Sequence, residues 1–491
     1  MKQIGEILKN IEILEVVGSD GLATQICDIE SDSRKVIPSG AFIAIKGHDC
    51  DGHSFIEKAI EAGARAIIYD NPQATKLICE KGVTGIRIAD TYISTPYIAK
   101  EFFDNPSDKI SLVAVTGTNG KTTIATLLYR LFNNMGYCCG LLSTIANFVD
   151  KERFETKNTT SDTITINRLL NLLVEKGGEF CFMEVSSHAL EQGRVAGLHF
   201  RGGIFTNLTH DHLDYHKTFA EYIRCKKLLF DSLPKDAFAL TNSDDRNGNV
   251  MLQNTKACRY TYSVGNMADF RIKIIESTIE GSLLEINGTQ VWTKFIGKHN
   301  AYNLGAVYGA AMLLGGDKDE VLVTMSNLEA VAGRLEYIKG ENDITVVIDY
   351  AHTPDALENV LITLKEIAGE NQVICLFGCG GNRDKTKRGE MGTVCAKYAD
   401  RVVVTSDNPR FENPLEIIED IKKGIDENQM SKTLFICDRA EAIRVAIMTA
   451  PKGAIVLLAG KGHEDYQIIN GVKSHFDDKE EALKVLKQHN K

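Results

Sequence analysis

Val113-Ala114-Val115-Thr116-Gly117-Thr118-Asn119-Gly120-Lys121-Thr122-Thr123 is the stretch on which the reading of this chain turns. Ser111 to Val115 is an apolar, β-branched run that reads as a buried strand. It breaks at Gly117 and Gly120, after which Thr122 to Phe132 carries Leu127, Leu128 and Leu131 at helical spacing. Strand, glycine loop, Lys-Thr and helix together make the layout of a phosphate-binding loop. The glycines let backbone N–H groups turn toward a phosphate, and the helix N-terminus adds positive potential. Lys121 neutralises charge and Thr122 offers a hydroxyl to Mg²⁺. The general pattern wants a glycine five residues before Gly120, and Val115 stands there instead. A glycine turn capping a helix is the plain alternative, but it assigns Lys121 no task.

The chain has 491 residues, too many for one core, and about three domains is the expectation from length. Apolar residues make up 43% and charged residues 25%, an ordinary globular balance that argues against disorder. The net charge of −10 argues against a nucleic-acid partner, which needs a basic face. Met1 to Lys9 lacks an apolar h-region, and no run of about eighteen apolar residues occurs. A soluble, cytoplasmic protein without membrane contact is the expectation. The twelve cysteines are scattered singly apart from Cys138-Cys139 and the Cys375/Cys379 pair, with no C-x-x-C. Neither a zinc ribbon nor a redox motif is supported, so buried reduced thiols are expected.

Along the chain, Asp28 to Ile45 holds two strand-like runs around Pro38-Ser39-Gly40, followed by a helical Ser54–Ala62 and a strand-like Ala64–Tyr69. Ser31-Asp32-Ser33-Arg34 is a polar knot that reads equally well as a turn. The composition turns polar at Asp104-Asn105-Pro106-Ser107, which marks a boundary. Beyond the phosphate loop, Glu179–Val185 and Gly203–Asn207 are buried strands. They end in Glu184-Val185-Ser186-Ser187-His188 and in Thr209-His210-Asp211-His212-Leu213-Asp214-Tyr215-His216. In an open parallel sheet ligands gather beyond the carboxyl ends of strands, so these ends converge on one crevice. A carboxylate ending an apolar strand needs a partner, and Glu184 and His212 near a triphosphate are natural Mg²⁺ ligands. His212 taken alone reads as readily as a capping or solvated histidine.

From Ile344 a regular β-α alternation begins. Strands are predicted at Ile344–Ile348, Val373–Phe377, Arg401–Thr405, Thr433–Ile436 and Ala454–Leu458. Helices are predicted at Pro354–Ile367, Gly389–Tyr398, Pro414–Ile425, Ala440–Met448 and Lys479–Lys487. The pattern predicts a doubly wound, mostly parallel sheet. Its strand ends carry Gly378-Cys379-Gly380-Gly381-Asn382-Arg383, Ser406-Asp407-Asn408-Pro409-Arg410 and Gly460-Lys461-Gly462-His463-Glu464. These glycines do not complete a dinucleotide fingerprint. Two arginines and a glutamate at successive strand ends suit a zwitterionic ligand, with surface ion pairing as the alternative.

These motifs, in this order, resemble those of the ATP-dependent Mur ligases. The likeness rests on Thr116–Thr123, Glu184–His188, Asp211–His216, Gly297-Lys298-His299-Asn300-Ala301-Tyr302-Asn303, Asp349-Tyr350-Ala351-His352-Thr353-Pro354 and Gly460–Tyr466. Val115 before the loop is normal for that family. Asp407-Asn408-Pro409-Arg410 resembles the signature of the members that add meso-diaminopimelate to UDP-N-acetylmuramoyl-L-alanyl-D-glutamate. The resemblance implies an α/β protein of three domains: an N-terminal UDP-substrate-binding domain over 1–105, a central ATPase domain with a parallel sheet over 106–333, and a C-terminal Rossmann-like domain over 334–491 that receives the amino acid. It implies ATP contacts from Gly117, Thr118, Asn119, Gly120, Lys121, Thr122, Thr123, Asn303, Arg334 and Asp349. Ser33 and His48 would hold the UDP end, and Asn158, Thr159, Thr160, Ser186, Gln192 and Arg194 the muramoyl-peptide end. Arg383, Asp407, Asn408, Pro409, Arg410, Gly460 and Glu464 would hold meso-diaminopimelate.

Catalysis would fall to Lys121, Glu184, His212 and Lys226. Mg²⁺ would be held near Thr122, Glu184, His212 and Lys226, the last as a carbamate formed with CO₂. Lys226 otherwise reads as a solvated helix lysine, as Lys227 beside it does. Cys225 stands where the family often has alanine. The implied activity is amide-bond formation through an acyl phosphate in peptidoglycan precursor synthesis, hence in cell shape, division and the cell cycle, by a cytoplasmic monomer. Two other readings compete with this one. Folylpolyglutamate synthases resemble this loop and fold, but the Asp407–Arg410 signature and the extra N-terminal domain argue against them. An ATP-dependent switch protein that makes no bond needs fewer metal-binding groups than Glu184, His212 and Lys226 provide.

Overall fold

The computed structural model describes residues 1–47, 50–209, 216, 218–340 and 343–489. Three main sheets follow one another along the chain. The first has strands in the order Ile13–Val17, Thr84–Ile88, Ala66–Tyr69, Ala41–Ile43, Ile29–Glu30, antiparallel only at its first pair. The predicted turn between Ile29–Glu30 and Ala41–Ile43 contains Ser39 at φ 68°, a left-handed residue. Arg34 closes back on Asp32 through two guanidinium bonds, holding that carboxyl down at about 2, so the Ser31–Arg34 knot is a turn.

The second sheet has eleven strands, and Ser111–Thr116 lies inside it between Phe180–Glu184 and Gly202–Phe205. All three run parallel. From Ser111–Thr116 the chain first builds the side that includes Cys139–Leu142 and then crosses back to Gly202–Phe205. The phosphate loop therefore opens at the point where the winding reverses, and a crevice forms there. Apolar clusters lie on both faces of the sheet: Leu127, Leu128 and Leu131 pack on one, and Leu170, Met183 and Phe230 on the other. The sheet continues into an antiparallel ribbon, Phe270–Thr278, Gly281–Ile286 and Thr289–Thr293, which the sequence reading left unassigned.

The third sheet is ordered Glu336–Lys339, Thr345–Asp349, Ile455–Ala459, Val373–Phe377, Arg401–Val404, Thr433–Phe435. Only its first pair is antiparallel, and apolar clusters cover both faces, as doubly wound topology requires. The five predicted strands and five predicted helices all occur, with ends shifted by a few residues. The helix Thr386–Tyr398 starts before the predicted Gly389, and Tyr466–Ile469 with Val472–His475 forms a hairpin that was not predicted.

The cysteine reading needs correction. All twelve thiols are free, but Cys27, Cys50, Cys79 and Cys258 are exposed. No helix among the described residues is long and apolar enough to cross a membrane.

Candidate active site

The loop's shape follows from two glycines that no other residue could replace. Gly117 has φ +149°, and a Cβ there would lie 1.8 Å from Thr206 Oγ1. Gly120 has φ +90°, and a Cβ there would lie 2.6 Å from Asn303 Oδ1. The second clash places Asn303 directly over the loop although it belongs to the helix Lys298–Leu313. Asn207 fixes the loop from below, accepting from the Asn119 N–H at 2.9 Å, while Thr206 Oγ1 donates to the Asn119 carbonyl at 2.6 Å. Lys121 Nζ donates to the carbonyls of Gly117 and Thr118, at 3.0 and 2.9 Å, so its ammonium curls over the loop mouth. Thr123 is buried one residue beyond Thr122.

Thr122 donates its hydroxyl to Glu184 Oε2 at 2.9 Å, and Thr144 N–H donates to Oε1 at 2.8 Å. Glu184 is 1% exposed, so the carboxylate predicted to need partners has two donors and sits at the loop. Thr160 Oγ1 donates to the Glu184 carbonyl at 2.9 Å and accepts from Ser186 N–H at 3.1 Å. Arg194 donates to the Thr160 carbonyl at 2.9 Å and to Gln192 Oε1. Thr159 meets Thr144 at 3.2 Å. Thr159, Thr160, Ser186, Gln192 and Arg194 thus form one polar chain leading away from Glu184. Asn158 is exposed beside them, its carbonyl accepting from Thr156 Oγ1.

Lys226 is buried to 1%, with Nζ donating to the Gly117 carbonyl at 2.8 Å and lying 4.6 Å from the Tyr222 ring centre. It is not a solvated lysine. Nor is Lys227, which pairs with Asp231 one helical turn on and leaves 13% of its side chain exposed. His212 and His48 lie outside the described residues. Ser33 lies half-buried in its turn in the first sheet's domain.

At the carboxyl end of Thr345–Asp349, the second strand of the third sheet, Asp349 is buried and accepts from the N–H groups of Leu335 and Ala351, both at 2.8 Å. Burial nevertheless raises its pKa, against the pull of Arg334. Arg334 stacks 4.7 Å above the Tyr350 ring. Burial, with help from the same arginine, lowers His299 and His463 to about 4. Asn119 Nδ2 donates to Asp355 Oδ2 at 3.2 Å, joining the phosphate loop to the helix Pro354–Ala368.

A second cluster forms at the carboxyl ends of Arg401–Val404 and Ile455–Ala459. Asn408 Nδ2 donates to Glu464 Oε2 at 2.8 Å, and Ile468 N–H donates to Asn408 Oδ1 at 2.9 Å. Lys461 is wholly buried, with Nζ 2.6 Å from the Tyr466 carbonyl, 3.5 Å from Asp407 and 3.7 Å from Glu464. Burial, then Asp407, raises the Glu464 pKa. A Cβ on Gly460 would lie 3.2 Å from Asp407 Oδ2, so the glycine is what lets that carboxylate approach. Arg410 follows the buried Pro409, has φ +54°, and donates from Nη1 to the Gly381 carbonyl at 2.7 Å. Arg383 is exposed, yet its Cγ and Arg410 Nη1 both lie within 4 Å of where Gly380 would carry a Cβ. All seven predicted residues of this cluster therefore sit together. Lys461 was missed as a member because a lysine between glycines gives no sign of being buried.

Three family models match the chain: "Mur ligase family, catalytic domain" over 25–101, "Mur ligase middle domain" over 115–311 and "Mur ligase, glutamate ligase domain" over 333–462. The chain is 50% identical to the UDP-N-acetylmuramoyl-L-alanyl-D-glutamate–2,6-diaminopimelate ligase of Phocaeicola vulgatus, covering 97% of this chain and 98% of that one. A solved structure bearing the same ligase name matches with TM-score 0.71 at 32% identity, over 100% of this chain and 99% of that one. MurF from Thermotoga maritima, solved with ADP, shares the fold at TM-score 0.66 and 18% identity, over 95% and 97% of the two chains. With a phosphate loop braced on Glu184, a separate charged cluster on the third sheet and half its residues shared with such a relative over nearly the whole length, this chain belongs to the Mur ligase family.

Proposed function

We propose that this chain is the ATP-dependent ligase that joins meso-diaminopimelate to the D-glutamyl carboxylate of UDP-N-acetylmuramoyl-L-alanyl-D-glutamate in peptidoglycan precursor synthesis. The observation that carries this reading is the 50% identity, over 97% of the chain, with a ligase named for that reaction. It also decides against a folylpolyglutamate synthase and against a switch that forms no bond. Residues 1–105 take the UDP-substrate, 106–333 the nucleotide and 334–491 the amino acid. ATP and a UDP-linked substrate place the reaction in the cytoplasm.

A carboxylate does not react with an amine at neutral pH, because it is anionic and lacks a leaving group. Transfer of the ATP γ-phosphoryl group to the carboxylate makes an acyl phosphate. The amine then attacks its carbonyl, a C–N bond forms and inorganic phosphate leaves. The protein's task is positioning and charge neutralisation. The loop N–H groups cradle the phosphates, and Lys121 exchanges its two carbonyl partners for phosphate oxygen. Asn303, Arg334 and Asp349 line the nucleotide at the junction of the second and third sheets.

The donor set fits Mg²⁺: a buried carboxylate at Glu184 and the Thr122 hydroxyl are hard oxygen donors. When bound there, the ion neutralises charge on the transferring phosphoryl group. Lys226 as an ammonium would repel such an ion; as a carbamate it adds anionic oxygen at the same place. His212 completes the set. Ser33 and His48 hold the UDP end, while Asn158, Thr159, Thr160, Ser186, Gln192 and Arg194 hold the muramoyl-peptide end and so aim its carboxylate at Glu184's side of the loop.

The test is direct. The protein is incubated with ATP, Mg²⁺ and the UDP-muramoyl dipeptide, separately with meso-diaminopimelate and L-lysine, and the products are weighed by mass spectrometry. The expected result is a condensation product with meso-diaminopimelate and ATP turnover that needs both substrates. ATP turnover without the amino acid, or a preferred lysine product, overturns the reading.

A further inference from the structure

We propose that Glu191, His216 and Cys225 form a binding site for a thiophilic divalent cation such as Zn²⁺, beside the phosphate loop and separate from the Mg²⁺ position. One ligand atom from each residue lies within 4.8 Å of the other two. Glu191 ends the short helix Ser187–Glu191, and Cys225 lies in the helix Phe219–Ser232 that packs against it. His216 bridges the two, with its ring 5.4 Å from His188 and 5.1 Å from Tyr222.

The chemistry of the three donors is selective. Thiolate, imidazole and carboxylate together favour zinc over magnesium, which takes oxygen ligands. Three protein ligands leave a fourth position for water. His216 and Cys225 are buried, while Glu191 is exposed and opens the site to solvent. Ser187 Oγ lies 2.8 Å from His216 Nε2 and helps fix the ring. A metal-binding histidine characteristically has such a partner on its other ring nitrogen. The thiol now donates to Glu221 Oε1 at 3.7 Å, a contact that a bound ion would replace, and Arg224 holds the same carboxylate through Nε and Nη2.

The experiment uses the full-length, reduced protein without nucleotide and titrates it with Co²⁺, a spectroscopic stand-in for Zn²⁺. Wild type should develop a thiolate-to-cobalt charge-transfer band that saturates at one equivalent and disappears when Zn²⁺ is added. Cys225→Ser should lack the band. Glu191→Gln changes an exposed residue and so folds; with a direct ligand lost, its affinity should fall by at least about 10-fold, the least that removing even an outer-shell partner costs. No band in wild type, a band that persists in Cys225→Ser, or equal affinity in Glu191→Gln overturns the site. None of these readouts requires turnover, so they stand apart from any failure of the ligase assay.

Discussion

Lys226 is the residue whose placement constrains the chemistry most. Its ammonium, 1% exposed, is held on the Gly117 carbonyl, and the proposed carbamate would put an oxygen ligand there. Lys226→Ala should lose nearly all ligation, with partial recovery when a short carboxylic acid is supplied to fill the cavity with oxygen. Turnover near the wild-type rate removes Lys226 from the reaction, and inactivity without recovery removes the carbamate. We propose that Arg410 sets the choice of amino acid. Meso-diaminopimelate carries a distal carboxylate that lysine lacks, and an arginine fork can grip it bidentately. The guanidinium now rests on the Gly381 carbonyl, a neutral partner that a carboxylate would displace. Each charge-assisted bond contributes about 1.5–3 kcal/mol, so Arg410→Ala should raise KM for meso-diaminopimelate on the order of a hundredfold. Preference over L-lysine should shrink in step, with KM for ATP unchanged because the cluster lies on another sheet. Steady-state kinetics with both amino acids decide it, and retained selectivity refutes the role.

At the scale of elements, the loops that carry this cluster hang from a buried ion pair. Arg439, opening the helix Arg439–Met448, donates to Asp478 of the helix Asp478–His489 at 2.8 and 2.6 Å, and neither side chain is exposed. The same guanidinium reaches the Ala459 carbonyl at 3.0 Å and the Ser406 carbonyl at 3.4 Å. Those carbonyls immediately precede Gly460 and Asp407, so one side chain ties both loop origins. Arg439→Met leaves the Asp478 carboxylate buried without its cation, and denaturant melts should show a loss of about 3–5 kcal/mol. Pairing it with Asp478→Leu should restore part of that stability, and an unrestored double variant argues against the pair as the cause. The elements themselves were legible where burial makes a strand uniformly apolar: Val373–Phe377 was read to the residue. The ribbon Phe270–Thr278 to Thr289–Thr293 was not, because its exposed face dilutes the apolar pattern with charges such as Arg271, Lys273 and Glu276. Glu184 announced itself as a charge ending an apolar strand. Arg439 with Asp478, and Asn119 with Asp355, gave no signal, since their partners lie 39 and 236 residues apart.

For the whole molecule, the proposed reaction would bring together three substrates held on three sheets, so the seams between them matter as much as any one site. At the first seam the helix Thr91–Phe102 packs on the helix Thr163–Glu175, Ile164 of the latter joins the first sheet's apolar core, and Arg168 adds a polar grip. It donates to Glu30 at 2.7 Å, to Asp28 at 2.9 Å and to the Ile29 carbonyl at 3.1 Å, and it lies 5.7 Å from the Phe103 ring centre. Away from these contacts two cavities open. A cavity of about 600 Å³ lined by Tyr97, Lys100 and Gly197 adjoins one of about 740 Å³ lined by Lys100, Gly197 and Leu228. Beside that packing, the three acceptors that Arg168 grips hold Ile29–Glu30, the end strand of the first sheet, against the helix Thr163–Glu175. Glu30 raises the stakes, because its burial already raises its pKa and Arg168 is its main counter-charge. Arg168 is partly exposed, so a single pair would contribute little; the effect comes from three acceptors held by one rigid fork. Arg168→Ala should therefore leave each domain folded but loosen the first against the second. KM for the UDP-substrate should rise several-fold, KM for ATP should hold, and small-angle scattering should report a larger radius of gyration. Arg168→Lys should fall between, because a lysine reaches one acceptor at a time. If Arg168→Ala matches wild type in both KM for the UDP-substrate and radius of gyration, the seam is held by contacts other than this side chain.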